Sequence, residues 1–91
     1  MNKEIFVVFI INERYTRWEV FNKKTTISDI FVLLKNKYNI EKCIVEIKEL
    51  FLHNKSKCLL THILPDGGSI YISTKDTNYV LKKDIVTPLK I

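Results

Sequence analysis

Residues 25–40, TTISDIFVLLKNKYNI, carry the pattern of one amphipathic helix, and the rest of the chain is best understood from its position. Thr26 precedes Asp29 by three residues, the spacing of a capping box, in which each side chain accepts a hydrogen bond from the other residue's backbone amide. Apolar residues then recur at helical spacing and form one stripe: Ile27, Ile30, Phe31, Leu34 and Tyr38. The pattern predicts a helix that begins after Thr26 and ends near Asn39, with Ile40 as an apolar plug behind it.

Four strand-like runs flank this helix, two before it and two after it. They are residues 4–11, 15–21, 44–53 and 69–74, and residues 12–14 are typical of a hairpin loop between the first two. A single amphipathic helix needs one face of a sheet to cover its apolar stripe. The order strand, strand, helix, strand, strand therefore predicts an α+β roll and not a parallel α/β layer.

The first two runs differ in the arrangement of their apolar residues. Residues 5–11 are apolar at every position, which predicts a strand inside the sheet and away from its edges. The second run alternates, and we expect Trp18 and Val20 to face the helix. Arg17 and Glu19 would then face water.

The order and spacing of these segments resemble ubiquitin-like proteins of the β-grasp fold. The segments that carry the resemblance are Ile5-Phe6-Val7, Glu19-Val20, Thr26 through Ile40, Leu50-Phe51-Leu52, the apolar anchors Leu59 and Leu64, and the turn and strand from Leu64 to Ile72. The resemblance implies a mixed sheet of four to five strands packed on one helix. It also divides the chain into a ubiquitin-like domain, residues 1–74, and a C-terminal extension, residues 75–91.

The C-terminal extension bears on which members of that family the chain resembles. Ubiquitin and its conjugated relatives end in an activated diglycine, whereas this sequence ends Pro88-Leu89-Lys90-Ile91. Its only glycine pair, Gly67-Gly68, follows Pro65-Asp66, where the fold needs a tight turn. We therefore expect non-covalent binding in place of conjugation or sulfur carriage. Apolar residues in the extension predict that it docks on the domain, adds an edge strand or binds a partner.

Composition narrows the class of protein. The net charge is +5, but only two of the fifteen basic residues are arginine, and the abundance of lysine is typical of an AT-rich genome, so the charge alone is weak evidence for nucleic-acid binding. No apolar run is long enough to span a bilayer, and no signal-peptide pattern follows Lys3. Cys43 and Cys58 give no disulfide framework. We expect a cytoplasmic protein with reduced thiols that does not bind membranes.

Residues that could support catalysis or metal binding are few. Cys58, His62 and His53 with the distant Cys43 lack the paired spacing of a structural zinc site. Neither cysteine has a sequence neighbourhood that would activate a nucleophile. We therefore expect a non-enzymatic protein with no metal and no cofactor.

The face of the sheet that points away from the helix is the candidate binding surface. It should present Phe6, Val8, Phe51 and Tyr71, with Ile10 beside them. Such an apolar face exceeds what monomers usually leave bare, so something should cover it. The cover is either the chain's own extension, through Tyr79, Leu81 or Ile85, or another protein, or self-association with a second copy.

The basic second strand offers another mode of binding. Ras-binding domains share the resembled fold and pair a basic second strand with an acidic partner, which Arg14 and Arg17, with Lys23 and Lys24, would do here. The simpler interpretation is a solvated strand face.

The overall hypothesis is an interaction module, an adaptor or accessory subunit that binds another protein. One alternative is an accessory ubiquitin-like protein of bacterial type VII secretion, which also lacks the diglycine. The other is a basic β-grasp protein that binds nucleic acid, with Tyr15 or Trp18 as stacking residues.

Overall fold

A computed structural model of the chain describes residues 4–76 and 78–81. The elements in chain order are β1 (Glu4–Ile11), β2 (Tyr15–Asn22), α1 (Ile27–Tyr38), β3 (Cys43–Ile47), β4 (Leu50–Phe51), a short 3-10 helix (Leu60–His62) and β5 (Ser69–Thr74). The five strands form one mixed sheet in the order β2-β1-β5-β3-β4. The prediction of an α+β domain with one helix on a mixed sheet is confirmed. Within the described residues, no helix is both long and apolar enough to cross a membrane.

The helix begins and ends as its sequence predicts. The Thr26 hydroxyl accepts from the Asp29 amide at 3.3 Å, and the Asp29 carboxylate accepts from the Thr26 amide at 2.9 Å. Asn39 follows in the left-handed conformation, and its amide closes the last turn on the carbonyl of Leu34. Four residues of the predicted stripe are buried and Phe31 is half-buried. Ile40 is buried behind the helix end.

Strand β1 lies inside the sheet, as predicted, and pairs in parallel with β5. The Pro65–Gly68 turn extends this pairing, since the Gly67 amide donates to the Phe6 carbonyl and the Asp66 carboxylate accepts from the Phe6 amide, both at 2.6 Å. Gly67 has a φ of +86°, which favours glycine. A Cβ on Gly68 would lie 2.5 Å from the Leu64 side chain. The turn residues therefore place β5 directly beside β1.

The prediction of one strand over residues 44–53 is wrong. The chain reverses at Lys48 and Glu49, so that Ile47 pairs with Leu50 and a two-residue strand β4 runs back along β3. Lys48 and Glu49 both have positive φ, as a two-residue hairpin turn requires. Neither residue is a glycine or an asparagine, so the usual sequence sign of such a turn is missing.

The predicted faces of β2 are inverted. Glu19 is only 8% exposed and lies on the helix side, whereas Trp18 is 59% exposed and points away from it. Tyr15 and Phe21, on the same side as Glu19, are packed against the hydrophobic core. The physical reason is that Glu19 has two partners on the helix, which makes burial of its carboxylate tolerable.

The described part of the C-terminal extension packs on the helix side of the sheet. The Tyr79 hydroxyl donates to the Tyr38 carbonyl at 2.7 Å, and its ring meets Tyr15 edge-on with the centroids 6.3 Å apart. Leu81 is buried within the hydrophobic core. The expectation that Tyr79 or Leu81 covers the opposite face is therefore wrong. Ile85 lies outside the described residues.

Candidate protein interface

The strand register places one set of side chains on the sheet surface that faces away from α1, which we call the open face. One row crosses all five strands, and its members in sheet order are Thr16, Ile10, Tyr71, Glu46 and Phe51. Neighbouring rows pair Trp18 with Val8, Val20 with Phe6 and Ser73 with Ile44. Residues directly opposite each other on paired strands share a face. The register therefore assembles the open face from every strand of the sheet.

The open face is rich in exposed apolar side chains. Phe51 is 68% exposed and Tyr71 is 46% exposed, and Phe6, Trp18, Val20 and Ile44 are also exposed. Val8 and Ile10 are half-buried between them. The structure thus brings the four predicted residues Phe6, Val8, Phe51 and Tyr71 onto one surface.

Trp18, Val20 and Ile44 are members of the open face that the sequence reasoning missed. A signal for Trp18 was present in the hairpin. The loop of residues 12–14 pairs Ile11 with Tyr15, and counting back along both strands sets Trp18 opposite Val8. Because opposite residues share a face, the prediction that Val8 lies on the open face implies that Trp18 lies there too.

Two carboxylates lie within the open face. Glu13 and Glu46 line a shallow hollow together with Ile10, Tyr71 and Ser73. No ion pair joins either glutamate to another residue of the described ranges 4–76 and 78–81. The aromatic centre of this face therefore carries negative charge at its side, although the whole chain is basic.

Arg14 and Arg17 do not join the open face. Arg14 is exposed at the start of β2, where its guanidinium lies 5.4 Å from the centre of the Tyr15 ring, a cation–π contact. Arg17 lies on the helix side of β2, and its guanidinium donates to the Thr16 carbonyl at 2.7 Å. Its Nε is buried and has no hydrogen-bond partner among residues 4–76 and 78–81. The two arginines thus belong to the β2 edge of the sheet.

A polar cluster joins β2 to the helix. Glu19 Oε2 accepts from Lys37 Nζ at 2.9 Å and from the hydroxyl of Tyr38. Burial, followed by the hydrogen bond to the Glu19 carboxylate, raises the pKa of Tyr38 well above its usual range. The phenol therefore stays neutral and donates to Glu19, which holds the edge strand against the helix.

The candidate metal ligands are dispersed. Cys58 is exposed, whereas Cys43 is half-buried, and burial raises the pKa of the Cys43 thiol. Within the described part of the chain, no three His, Cys, Asp or Glu side chains are grouped so that they could hold a metal ion.

No protein-family model matches the chain, and no curated protein sequence matches it. The class that the structure itself defines is a small α+β domain, with one helix on a five-stranded mixed sheet and an apolar open face.

Proposed function

We propose that this chain is a non-enzymatic ubiquitin-like module of the β-grasp fold that binds another protein through its open face. The element order, the single helix and the parallel pairing of the first and last strands support the fold assignment. The observation that carries the function is the concentration of exposed aromatic and aliphatic side chains on one sheet face. Apolar surface of this kind marks an interaction site.

The composition of the open face suits protein recognition. Trp and Tyr are common energetic anchors of interfaces, and Phe51, Tyr71 and Trp18 stand on three different strands of one rigid sheet. Because hydrogen-bonded strands fix the spacing of these anchors, little conformational entropy is lost when a partner docks. The glutamates beside Tyr71 favour a partner whose apolar residues are accompanied by lysine or arginine.

The test compares three forms of the chain in an affinity capture from native lysate. The double variant Phe51→Ala, Tyr71→Ala removes two anchors from the open face, and Val32→Ala removes an exposed apolar side chain from the helix surface as a control. We expect the wild type and the control to capture the same protein and the double variant to lose it while remaining folded by circular dichroism. Capture of the same partners by all three forms would contradict the proposal.

The exposure of Trp18 on the open face also fits a stacking platform for single-stranded nucleic acid. The charges beside the aromatic centre oppose this, since Glu13 and Glu46 would repel phosphates. An oligonucleotide that binds at low salt, is lost at moderate salt and ignores Trp18→Ala would show attraction by lysines alone. Loss of binding in Trp18→Ala would favour the nucleic-acid alternative.

A further inference from the structure

The two edges of the sheet differ in what they expose. Strand β4 forms one edge with two residues, and β2 forms the other with eight. A long edge strand offers a row of backbone amides and carbonyls to any strand that can pair with it. The β2 edge is therefore the place where a further strand can be added.

The register identifies which groups of β2 point outward. Phe6 and Val8 direct their backbone groups toward β5, because the Gly67 amide donates to the Phe6 carbonyl and the Val8 amide donates to the Gly68 carbonyl. Since backbone direction alternates along a strand, Val7 and Phe9 bond β2. Their partners in the register are Glu19 and Arg17.

Thr16, Trp18 and Val20 consequently aim their amides and carbonyls away from the sheet. Their side chains carry no charge, whereas the charged residues between them, Arg17 and Glu19, lie on the helix side. Within the described part of the chain, the Thr16 carbonyl accepts a side-chain hydrogen bond only from the guanidinium of its neighbour Arg17. The Nε of Arg17, which is buried and lacks a hydrogen-bond partner in the described ranges, belongs to this same edge strand.

We propose that two copies of the chain associate through antiparallel pairing of their β2 edges, with Trp18 opposite Trp18 of the second copy. Outward-pointing residues then meet outward-pointing residues, as the hydrogen-bonding pattern of an antiparallel pair requires. The arrangement has two-fold symmetry, so each contact occurs twice. It joins both sheets and both open faces into one continuous surface.

The charges on β2 select this register among its neighbours. Trp18 opposite Trp18 places Arg17 of each copy opposite Glu19 of the other, a favourable cross-strand pair made twice. The neighbouring registers that preserve the hydrogen bonding shift one strand by two residues. A shift in one direction places Arg17 opposite Arg17 of the second copy, and a shift in the other direction places Glu19 opposite Glu19. Both arrangements bring like charges together and repel. The described hydrogen bonds of Glu19 fall on Oε2, so Oε1 can accept from the second copy.

Aromatic residues reinforce the same register. Tyr15 of each copy lies opposite Phe21 of the other on the helix side, and such aromatic pairs stabilise antiparallel strands. Trp18 meets its symmetry mate on the open face. The occupant of the edge is therefore a second copy, because β2 itself has the sequence that complements β2. The dimer forms by backbone pairing of the β2 edges and does not require the proposed protein partner, which would use the open face, including Trp18.

The first experiment measures the oligomeric state of the full chain by sedimentation over a range of concentrations. Val20→Pro removes an amide hydrogen that points outward and leaves the β1–β2 hydrogen bonds in place. Val20→Thr is the matched control that keeps the amide. We expect wild type and Val20→Thr to form dimers and Val20→Pro to remain monomeric with an unchanged circular dichroism spectrum.

A charge variant tests the register even if Val20→Pro fails to fold. Arg17→Glu places like charges opposite each other twice, and we expect the dissociation constant of the dimer to rise at least about tenfold. Lys42→Glu makes the same change in net charge at the other side of the sheet, next to β3, and should leave dimerisation unchanged. Equal effects of the two variants would overturn the pairing.

Amide hydrogen exchange distinguishes a second copy from other occupants of the edge. We expect the Trp18 and Val20 amides to gain protection as the concentration of the chain rises. Protection that persists at concentrations where sedimentation finds only monomer would show that another part of the same chain pairs with β2, and it would overturn the proposal. A dimer that survives Val20→Pro but is lost in Phe51→Ala, Tyr71→Ala would move the contact to the open face and overturn it as well.

Discussion

The two faces of this sheet are both apolar, yet the described residues bury only one of them. Strand β1 contributes Val7 and Phe9 to the helix side and Phe6 and Val8 to the open face, so the two sets alternate along the same strand. The helix side is covered by α1 and by Tyr79 and Leu81 of the extension. Apolar residues at every position therefore identify a strand inside a sheet without saying which of its faces the chain itself covers.

The largest expected difference between the two faces is in stability. Phe9 is fully buried and its ring lies 5.6 Å from that of Tyr38 and 6.0 Å from that of Phe21. We expect Phe9→Ala to lower the free energy of unfolding by about 3–5 kcal/mol, because it leaves a cavity in close-packed surroundings. Urea unfolding of the variant measures this. A loss below about 1 kcal/mol would mean that the helix side is no better packed than the open face.

A smaller loss of stability is expected when the buried polar cluster of Glu19, Lys37 and Tyr38 is changed. Tyr38→Phe removes a donor from the buried Glu19 carboxylate, and we expect a loss of about 1.5–3 kcal/mol, since a charged acceptor is left with fewer partners. Tyr71→Phe is the matched control on the open face and should change stability by less than about 0.5 kcal/mol. Equal losses in the two variants would contradict the assigned role of the cluster.

Tyr38→Phe should also change how stability depends on pH in the alkaline range. The pKa of Tyr38 is raised in the folded state, so its contribution to stability is complete below its ordinary value of 10.0 and is lost as pH rises above that value. Wild-type stability should therefore fall more steeply than that of Tyr38→Phe above this pH, by about 1.4 kcal/mol per pH unit. Denaturant titrations at several alkaline pH values measure the two slopes. Parallel curves would show that the phenol ionises as easily in the folded chain as in the unfolded one.

The N-terminal cap of the helix is expected to contribute less to stability than the polar cluster does. Thr26→Ala removes the hydroxyl that accepts from the Asp29 amide, and we expect a loss of about 1 kcal/mol. Asn36→Ala, at an exposed position of the same helix, should be neutral or slightly stabilising because alanine favours helices. Thermal unfolding compares the two variants, and the prediction fails if Asn36→Ala costs as much as Thr26→Ala.

The smallest expected effect on stability belongs to the open face. Phe51→Ala should change the free energy of unfolding by less than about 0.5 kcal/mol, since the side chain is already largely in water. Phe9→Ala, the same change of side chain on the other face, serves as its reference. A loss above about 2 kcal/mol for Phe51→Ala would show that this ring is already buried in the folded chain by something beyond the described residues.

The parts of the fold that sequence reasoning predicted depend on local patterns. The capping box of Thr26 and Asp29 and the apolar stripe of the helix are written in consecutive residues, and the structure has both. The faces of β2 were mispredicted because Glu19 is buried by Lys37 and Tyr38, partners far away in the sequence. The turn at Lys48 and Glu49 was missed because left-handed conformations there are imposed by the pairing of β3 with β4.

The sequence also predicted one part of the candidate surface and not another. Phe6, Val8, Phe51 and Tyr71 follow from strand alternation and from the resemblance to a known fold, and they do share one face. Arg14 and Arg17 were assigned to a basic second strand from their charge and from the similarity to Ras-binding domains, and they lie at the β2 edge. Where the extension packs could not be read from its composition, because its apolar residues would suit either face.

The pairing of the first strand with the last has a kinetic consequence. Phe6 and Asp66, which share a hydrogen bond, are 60 residues apart in sequence. The interior of the sheet cannot close until β5 has been synthesised, so β1 must remain without its parallel neighbour while most of the domain emerges from the ribosome. Topologies dominated by such distant contacts fold slowly. During that interval one edge of the apolar β1 strand is unpaired, and the nascent chain is vulnerable to aggregation.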